Sequence, residues 1–128
     1  MSQITSVYTE KAPAPISLFS QAQIFNGLVY CSGNIGTDPN TNKPVDGTVT
    51  NQTVQAIQNM SIVLEASGSS LRRVIKVNVY IASMTDFAAM NEGYAKFFSD
   101  PFPARTCVCV AGLPRGADVE VECVAAQS

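Results

Sequence analysis

Hydrophobic and polar positions change period several times along the chain, and the changes mark its elements. Residues 1–15 begin polar and end in Lys11-Ala12-Pro13-Ala14-Pro15, where the prolines impose an extended lead-in and not a helix. Ile16 to Ile24 reads as a first strand with an irregularity near Ser20-Gln21. Asn26-Gly27 is the strongest turn signal in the chain, and Leu28-Val29-Tyr30-Cys31-Ser32 follows as the second strand of a hairpin closing on Gly33-Asn34. Thr37 to Thr48 is a loop rich in Asp, Pro, Asn and Gly. Thr50 or Asn51 then caps a helix running to about Ser67. Val54, Ile57, Ser61 and Leu64 give its three-to-four spacing, Met60 and Val63 support it, and Gly68 stops it. Its Gln and Asn residues read as a solvated face.

Arg73 to Ala82 alternates most regularly. Ile75, Val77, Val79 and Ile81 point one way; Lys76, Asn78 and Tyr80 point the other. Ser83 to Asp86 loosely matches a capping box and starts a second helix. That helix carries the apolar stripe Phe87, Met90, Tyr94, Phe97 and Phe98, with Asn91 inside the stripe, and Asp100-Pro101 stops it. The resulting order, β-β-α-β-α-β-β, predicts an α+β fold: a mixed sheet with two helices on one face, residues 1–128 forming one domain.

The last two strands carry the most chemistry. Pro103 to Ala111 and Ala117 to Ala125 both alternate with period two, around Gly112-Leu113-Pro114-Arg115-Gly116. Read as a hairpin in which opposed residue numbers sum to 227, Arg105 faces Glu122 and Cys107 faces Glu120. One guanidinium, one thiol and two carboxylates then share a face. Two readings of that face are open. One is a cross-strand Arg105–Glu122 ion pair on a wet sheet surface. The other is a site where the guanidinium forks onto a substrate carboxylate while Glu120 exchanges a proton with water.

Composition narrows the classes. Hydrophobic residues make up 46% and charged residues 14%, so little charge is available to wet the surface, which points to part of it being covered by other subunits. Net charge is −2, with Arg72-Arg73 the only basic pair, which disfavours nucleic acid as the main partner. Histidine is absent, which removes Cys/His zinc sites and histidine-based triads. The four cysteines lack the spacing of a four-cysteine metal site and read as reduced thiols, Cys31 and Cys123 as small core residues. No apolar run is long enough to span a bilayer. Met1-Ser2-Gln3-Ile4 lacks transit-peptide character, so the cytosol is expected, with a processed mitochondrial-matrix form as the alternative.

Pro103-Ala104-Arg105-Thr106-Cys107-Val108, Leu113-Pro114 and Val119-Glu120-Val121-Glu122 resemble the signature of the RidA/YjgF reactive-intermediate deaminase family. Ala12-Pro13, Ser20-Gln21-Ala22, Ser32-Gly33-Asn34-Ile35, Val74 to Val79 and Asn91 to Phe98 match upstream, in the family's order and spacing. The resemblance implies a chorismate-mutase-like homotrimer with pockets between subunits. The implied reaction is hydrolysis of 2-imino acids (2-iminobutanoate, 2-iminopropanoate) to 2-oxo acids and ammonia, without cofactor or metal. Arg105 would clamp the substrate carboxylate, Glu120 would handle the water, Cys107 would line the site, and Phe19, Ser32, Gly33, Asn34 and Asn91 would complete it. Two positions depart from the family pattern: Phe19 replaces the usual Tyr, and Asn34 the usual Gln. Shape survives these changes, whereas a hydrogen bond from the lost hydroxyl does not. Two other classes stay open: a non-catalytic carboxylate-binding regulator, and a translation inhibitor or endoribonuclease.

Overall fold

Asn26 (φ 51°) and Gly27 (φ 76°) form the tight turn the sequence predicts, here in a computed structural model describing residues 3–16 and 18–128. Met1 and Ser2 of the N-terminal reading, and Ser17 of the expected first strand, lie outside the described residues. In chain order the elements are β1 (Thr5–Val7), β2 (Ala22–Phe25), β3 (Leu28–Asn34), a two-strand ribbon of β4 (Thr37–Asp38) and β5 (Lys43–Pro44), α1 (Val49–Ala66), β6 (Val74–Ile81), α2 (Phe87–Tyr94), β7 (Ala104–Cys109) and β8 (Val119–Ala126). Six strands make one mixed sheet in the order β1-β2-β3-β8-β6-β7.

The first strand starts later than expected, at Ala22, because the preceding residues serve another purpose. The buried Gln21 side chain accepts from Thr9 N at 2.7 Å and donates to the Thr9 and Pro13 carbonyls. It satisfies the backbone of the extended N-terminal segment and ties that segment down. Three residues of that segment pair with β2 as β1, a strand too short to show a period.

Thr48, not Thr50 or Asn51, caps α1, accepting from Asn51 N at 3.2 Å. The buried face of α1 is Thr53, Ala56, Ile57, Asn59, Met60, Val63 and Leu64, so Ile57, Met60, Val63 and Leu64 are buried as expected while Val54 and Ser61 are only partly covered. Asn59 is a correction to the solvated-face reading. It is fully buried, donates to the carbonyls of Ile35 (3.2 Å) and Thr37 (2.8 Å), and accepts from Gln55 Nε2. Gly68, at φ 77°, ends the helix as predicted. The second helix starts after a single 3-10 turn at Met84–Asp86 and ends at Tyr94, well before Asp100-Pro101. At Gly93 the two helices touch: a Cβ there would lie 2.9 Å from Thr50 O and from Thr53 Cβ.

Val77, Val79, Ile81, Val119, Val121 and Ala125 from the sheet pack fully buried against Ile57, Met60, Leu64 and Met90 from the helices. Both helices therefore cover one face, as expected. Ile75 departs from the predicted alternation. The β6–β8 register shifts between Val74 and Lys76, so Ile75 is the extra residue of a bulge and stands exposed. Among the described residues, no helix is long and apolar enough to cross a membrane.

The principal correction concerns the last two strands, which do not pair. β6 lies between them, parallel to β7 and antiparallel to β8. Val77 is the register partner of both Arg105 and Cys123; Tyr80 is the partner of both Val108 and Glu120. Register partners share a face, so Arg105 and Cys107 stand on the helix side of the sheet, while Glu120 and Glu122 stand on the other. The cause lies in the connections. A helix links β6 to β7, the connection that parallel neighbours need, and the β7–β8 link is longer than a tight hairpin loop and can step across one strand.

Candidate active site

Two clusters gather the expected site residues, and they are well separated. The first lies where β3 bulges beside β8. Cys31 pairs with Cys123 but Asn34 with Val121, so Ser32 and Gly33 together oppose Glu122 alone. The bulge is pinned on the side away from β8. Ser32 N donates to Gln21 O at 3.0 Å, Ser32 Oγ to Ser20 O at 2.7 Å, and Asn34 Nδ2 to Ser32 O at 3.1 Å. The exposed Gly33 backbone is left bare beside the Glu120 carboxylate. A cavity of about 130 Å³ opens here, lined by Phe19, Ser32, Gly33, Asn34 and Glu120, with apolar walls from Pro13, Pro15 and Ile16.

Half-burial pushes the Glu120 carboxyl above its ordinary range, and the neighbouring Glu122 carboxylate pushes the same way. Glu122 is not paired with Arg105. It accepts a hydrogen bond from the Tyr80 hydroxyl across the β6–β8 register. That bond to the carboxylate is the largest cause raising the Tyr80 pKa to about 12.

The second cluster surrounds Arg105 on β7, against α2. Its Nη1 donates to Asn91 Oδ1 at 2.7 Å and lies 3.8 Å from Met90 Sδ. The guanidinium carbon sits 4.7 Å from the centroid of the Tyr94 ring and 5.8 Å from that of Phe87. Both hydrogen bonds use Nη1; Nε and Nη2, the edge that forks onto a carboxylate, have no partner among the described residues. Cys107 follows on the same face. Burial raises its thiol pKa, Arg105 opposes that shift, and the thiol is the form present at neutral pH. The cluster thus offers an aimed cation and a neutral wall.

Every expected site residue falls into one cluster or the other: Phe19, Ser32, Gly33, Asn34 and Glu120 in the first, Asn91, Arg105 and Cys107 in the second. Within one chain the clusters do not meet. β3 and β7 are three strand spacings apart, roughly 14 Å, and Glu120 and Arg105 project from opposite faces. Some neighbours were not legible as site residues. Met90, Tyr94 and Phe87 read as core stripe, and Arg115 reads as a loop residue. Arg115 lines the cavity, held at φ 58° with Nη1 donating to Asn42 O at 2.9 Å. A cation between Pro114 and Gly116, five residues before Glu120, was the available signal.

Known proteins are similar to this chain over nearly its whole length. Residues 9–127 match the family model described as Endoribonuclease L-PSP. A curated relative from Dermatophagoides farinae, named 2-iminobutanoate/2-iminopropanoate deaminase, is 44% identical over 124 residues, covering 97% of this chain and 97% of that protein. The crystal structure of the yeast protein YEO7 superposes with a TM-score of 0.95 at 46% identity, covering 98% of this chain and all of the other. That of E. coli TdcF with bound serine superposes with a TM-score of 0.90 at 33% identity, covering 97% of this chain and 99% of the other.

Proposed function

Because this chain belongs to the Endoribonuclease L-PSP family, which is the RidA/YjgF family, we propose that it hydrolyses 2-imino acids such as 2-iminobutanoate and 2-iminopropanoate to 2-oxo acids and ammonia. The observation that carries this reading is the free Nε–Nη2 edge of Arg105. Asn91 and Met90 hold the other end of the guanidinium, and the open edge suits a 2-imino acid's carboxylate. The relative bearing the deaminase name and the neighbour solved with serine, whose α-carboxylate has the same shape, support it.

In this reading Arg105 fixes the carboxylate and Glu120 takes a proton from water as the water oxygen bonds to C2 of the protonated imine. The C=N π pair moves onto nitrogen, giving a carbinolamine. Glu120 returns its proton to that nitrogen, the C–N bond breaks and ammonia leaves, while the hydroxyl gives its proton to the regenerated Glu120 carboxylate and becomes the carbonyl of the 2-oxo acid. Glu120 then passes that proton to the departing ammonia, which leaves as ammonium. An iminium carbon is already electrophilic, so the chain's own residues need only orient and exchange protons. Imines released when pyridoxal-phosphate enzymes eliminate water from serine or threonine fit as substrates, and clearing them would protect those enzymes.

We assign the complete site to the junction of two copies in a homotrimer, with Arg105, Asn91 and Cys107 from one and Phe19, Ser32, Gly33, Asn34 and Glu120 from the next. The separation of the clusters within one chain supports this. So does the sheet face the helices leave bare, where Tyr30 and Val108 stand exposed. Four free cysteines accord with a reducing compartment, the cytosol or the mitochondrial matrix. We assign no RNA cleavage despite the family's description: a net charge of −2 and the Glu120–Glu122 pair repel a phosphodiester backbone.

The test couples a threonine dehydratase to this protein at neutral pH and follows decay of the imine. Wild type is expected to accelerate decay and Arg105→Ala to leave it at the uncatalysed rate. No acceleration by assembled wild type would instead make the chain a carboxylate-binding module, with Phe19 and Asn34 as the first residues to revert to the family's Tyr and Gln.

A further inference from the structure

Phe87, Met90, Asn91 and Tyr94 stand at i, i+3, i+4 and i+7 of α2, so one helix face supplies every contact described for the Arg105 guanidinium. The four contacts differ in kind. Asn91 and Met90 take Nη1 edge-on. The rings of Tyr94 and Phe87 meet the guanidinium carbon, Tyr94 the more closely at 4.7 Å. Tyr94 is itself fixed: it is 8% exposed and stacks on Phe98 with centroids 4.6 Å apart. Its buried hydroxyl has no hydrogen-bond partner among the described residues. The contact that Tyr94 makes with Arg105 is through its ring face, so the ring is what this position lends to the guanidinium.

We infer that Tyr94 is a positioning residue for substrate binding, its ring holding the Arg105 guanidinium so that the Nε–Nη2 edge stays open to a 2-oxo or 2-imino carboxylate. A ring attracts a cation to its face through its quadrupole and takes up none of the in-plane N–H donors. An acidic partner in its place would consume the fork that the substrate needs. Tyr94 therefore orients Arg105 without competing for it. The inference rests on the reading that Arg105 binds the substrate carboxylate.

The experiment replaces Tyr94 by phenylalanine and by phenylalanines of increasing ring fluorination, which drain the ring face of negative charge while nearly keeping its shape. The probe is 2-oxobutanoate, titrated against each assembled protein, with imine turnover and melting temperature recorded alongside. Tyr94→Phe is expected to bind and turn over like wild type. Across the fluorinated series affinity and KM are expected to weaken stepwise, by roughly 3- to 10-fold in all, with kcat and melting temperature little changed. In an Arg105→Ala background the series is expected to have no effect.

Equal affinity across the series, with Arg105→Ala abolishing binding, would overturn the role of Tyr94 and leave the Arg105 reading intact. Loss of binding in Tyr94→Phe would overturn it too, because the hydroxyl would then be in use. Undiminished 2-oxobutanoate binding by Arg105→Ala would remove the Arg105 reading itself.

Discussion

A Cβ on Gly33 would lie 2.7 Å from Oε2 of Glu120. The bare backbone of the β3 bulge and the half-buried carboxylate on β8 occupy adjoining space, and glycine is what lets them do so. Gly33 does not need a left-handed backbone, so alanine fits its conformation and collides only with the end of a flexible side chain. Gly33→Ala is therefore expected to fold with a stability change within about 1 kcal/mol while displacing the Glu120 carboxylate by a sizeable fraction of an ångström. Imine turnover should fall by roughly 10- to 100-fold. Chemical denaturation measured beside kcat checks this: a parallel loss of both would mean that Gly33 serves packing and not the carboxylate.

The raised pKa of Glu120 has consequences of opposite sign for activity and stability. A base works in its ionised form, so kcat/KM is expected to fall with decreasing pH, through a midpoint above that of an ordinary glutamate. Stability runs the other way. Because the folded-state pKa lies above the unfolded one, the folded chain binds the proton more tightly. The stabilisation is fully present below the unfolded pKa and is lost as pH rises through the folded one. Glu120→Gln should flatten that acidic slope and lower kcat by roughly 10²- to 10⁴-fold with less effect on KM. Urea titrations from pH 4 to pH 7 (on the order of the carboxylate range) check the slope; an unchanged slope in the variant would assign it elsewhere.

Asn59 ties the fully buried face of α1 to the loop at the cavity's edge by donating to the Ile35 and Thr37 carbonyls. Asn59→Ala leaves those bonds unmade in a site closed to water. It is expected to cost about 1–3 kcal/mol and lower the melting temperature by several degrees. Because Ile35 and Thr37 line the cavity, the KM for imine should rise as well. A variant that melts like wild type would show that water replaces the amide.

These residues also show how far the sequence could be read. Strong periodicity located the strands around Val29, Val79 and Val121, and turn chemistry located Asn26-Gly27, because both are local properties. The resemblance named the residues of both clusters. Strand neighbours are not local. Nothing in Ala104–Cys109 or Val119–Ala126 records that β6 inserts between them, so the apparent Arg105–Glu122 face dissolved once β7 took β6 as its parallel partner. Asn59 was missed for a related reason: a polar residue on a helix reads as solvated until its partner is seen. Tyr94 is core, as its place in the stripe predicts, but its contact with Arg105 is not local and so was not legible.

The placement of Arg105 and Glu120 on opposite faces permits a decisive mixing experiment. Arg105→Ala and Glu120→Gln chains are each expected to be inactive alone. Unfolded together and reassembled at equal amounts, they form mixed trimers if subunits associate head to tail. Each junction then draws its arginine from one copy and its glutamate from the next. About a quarter of junctions receive both intact residues by chance, and activity should recover to about a quarter of wild type. A site built within one chain predicts none, since every chain lacks one residue or the other. Size-exclusion chromatography with light scattering on the mixture, beside the imine assay, separates failed assembly from failed sharing. A trimeric but inactive mixture would return both residues to one chain and overturn the junction.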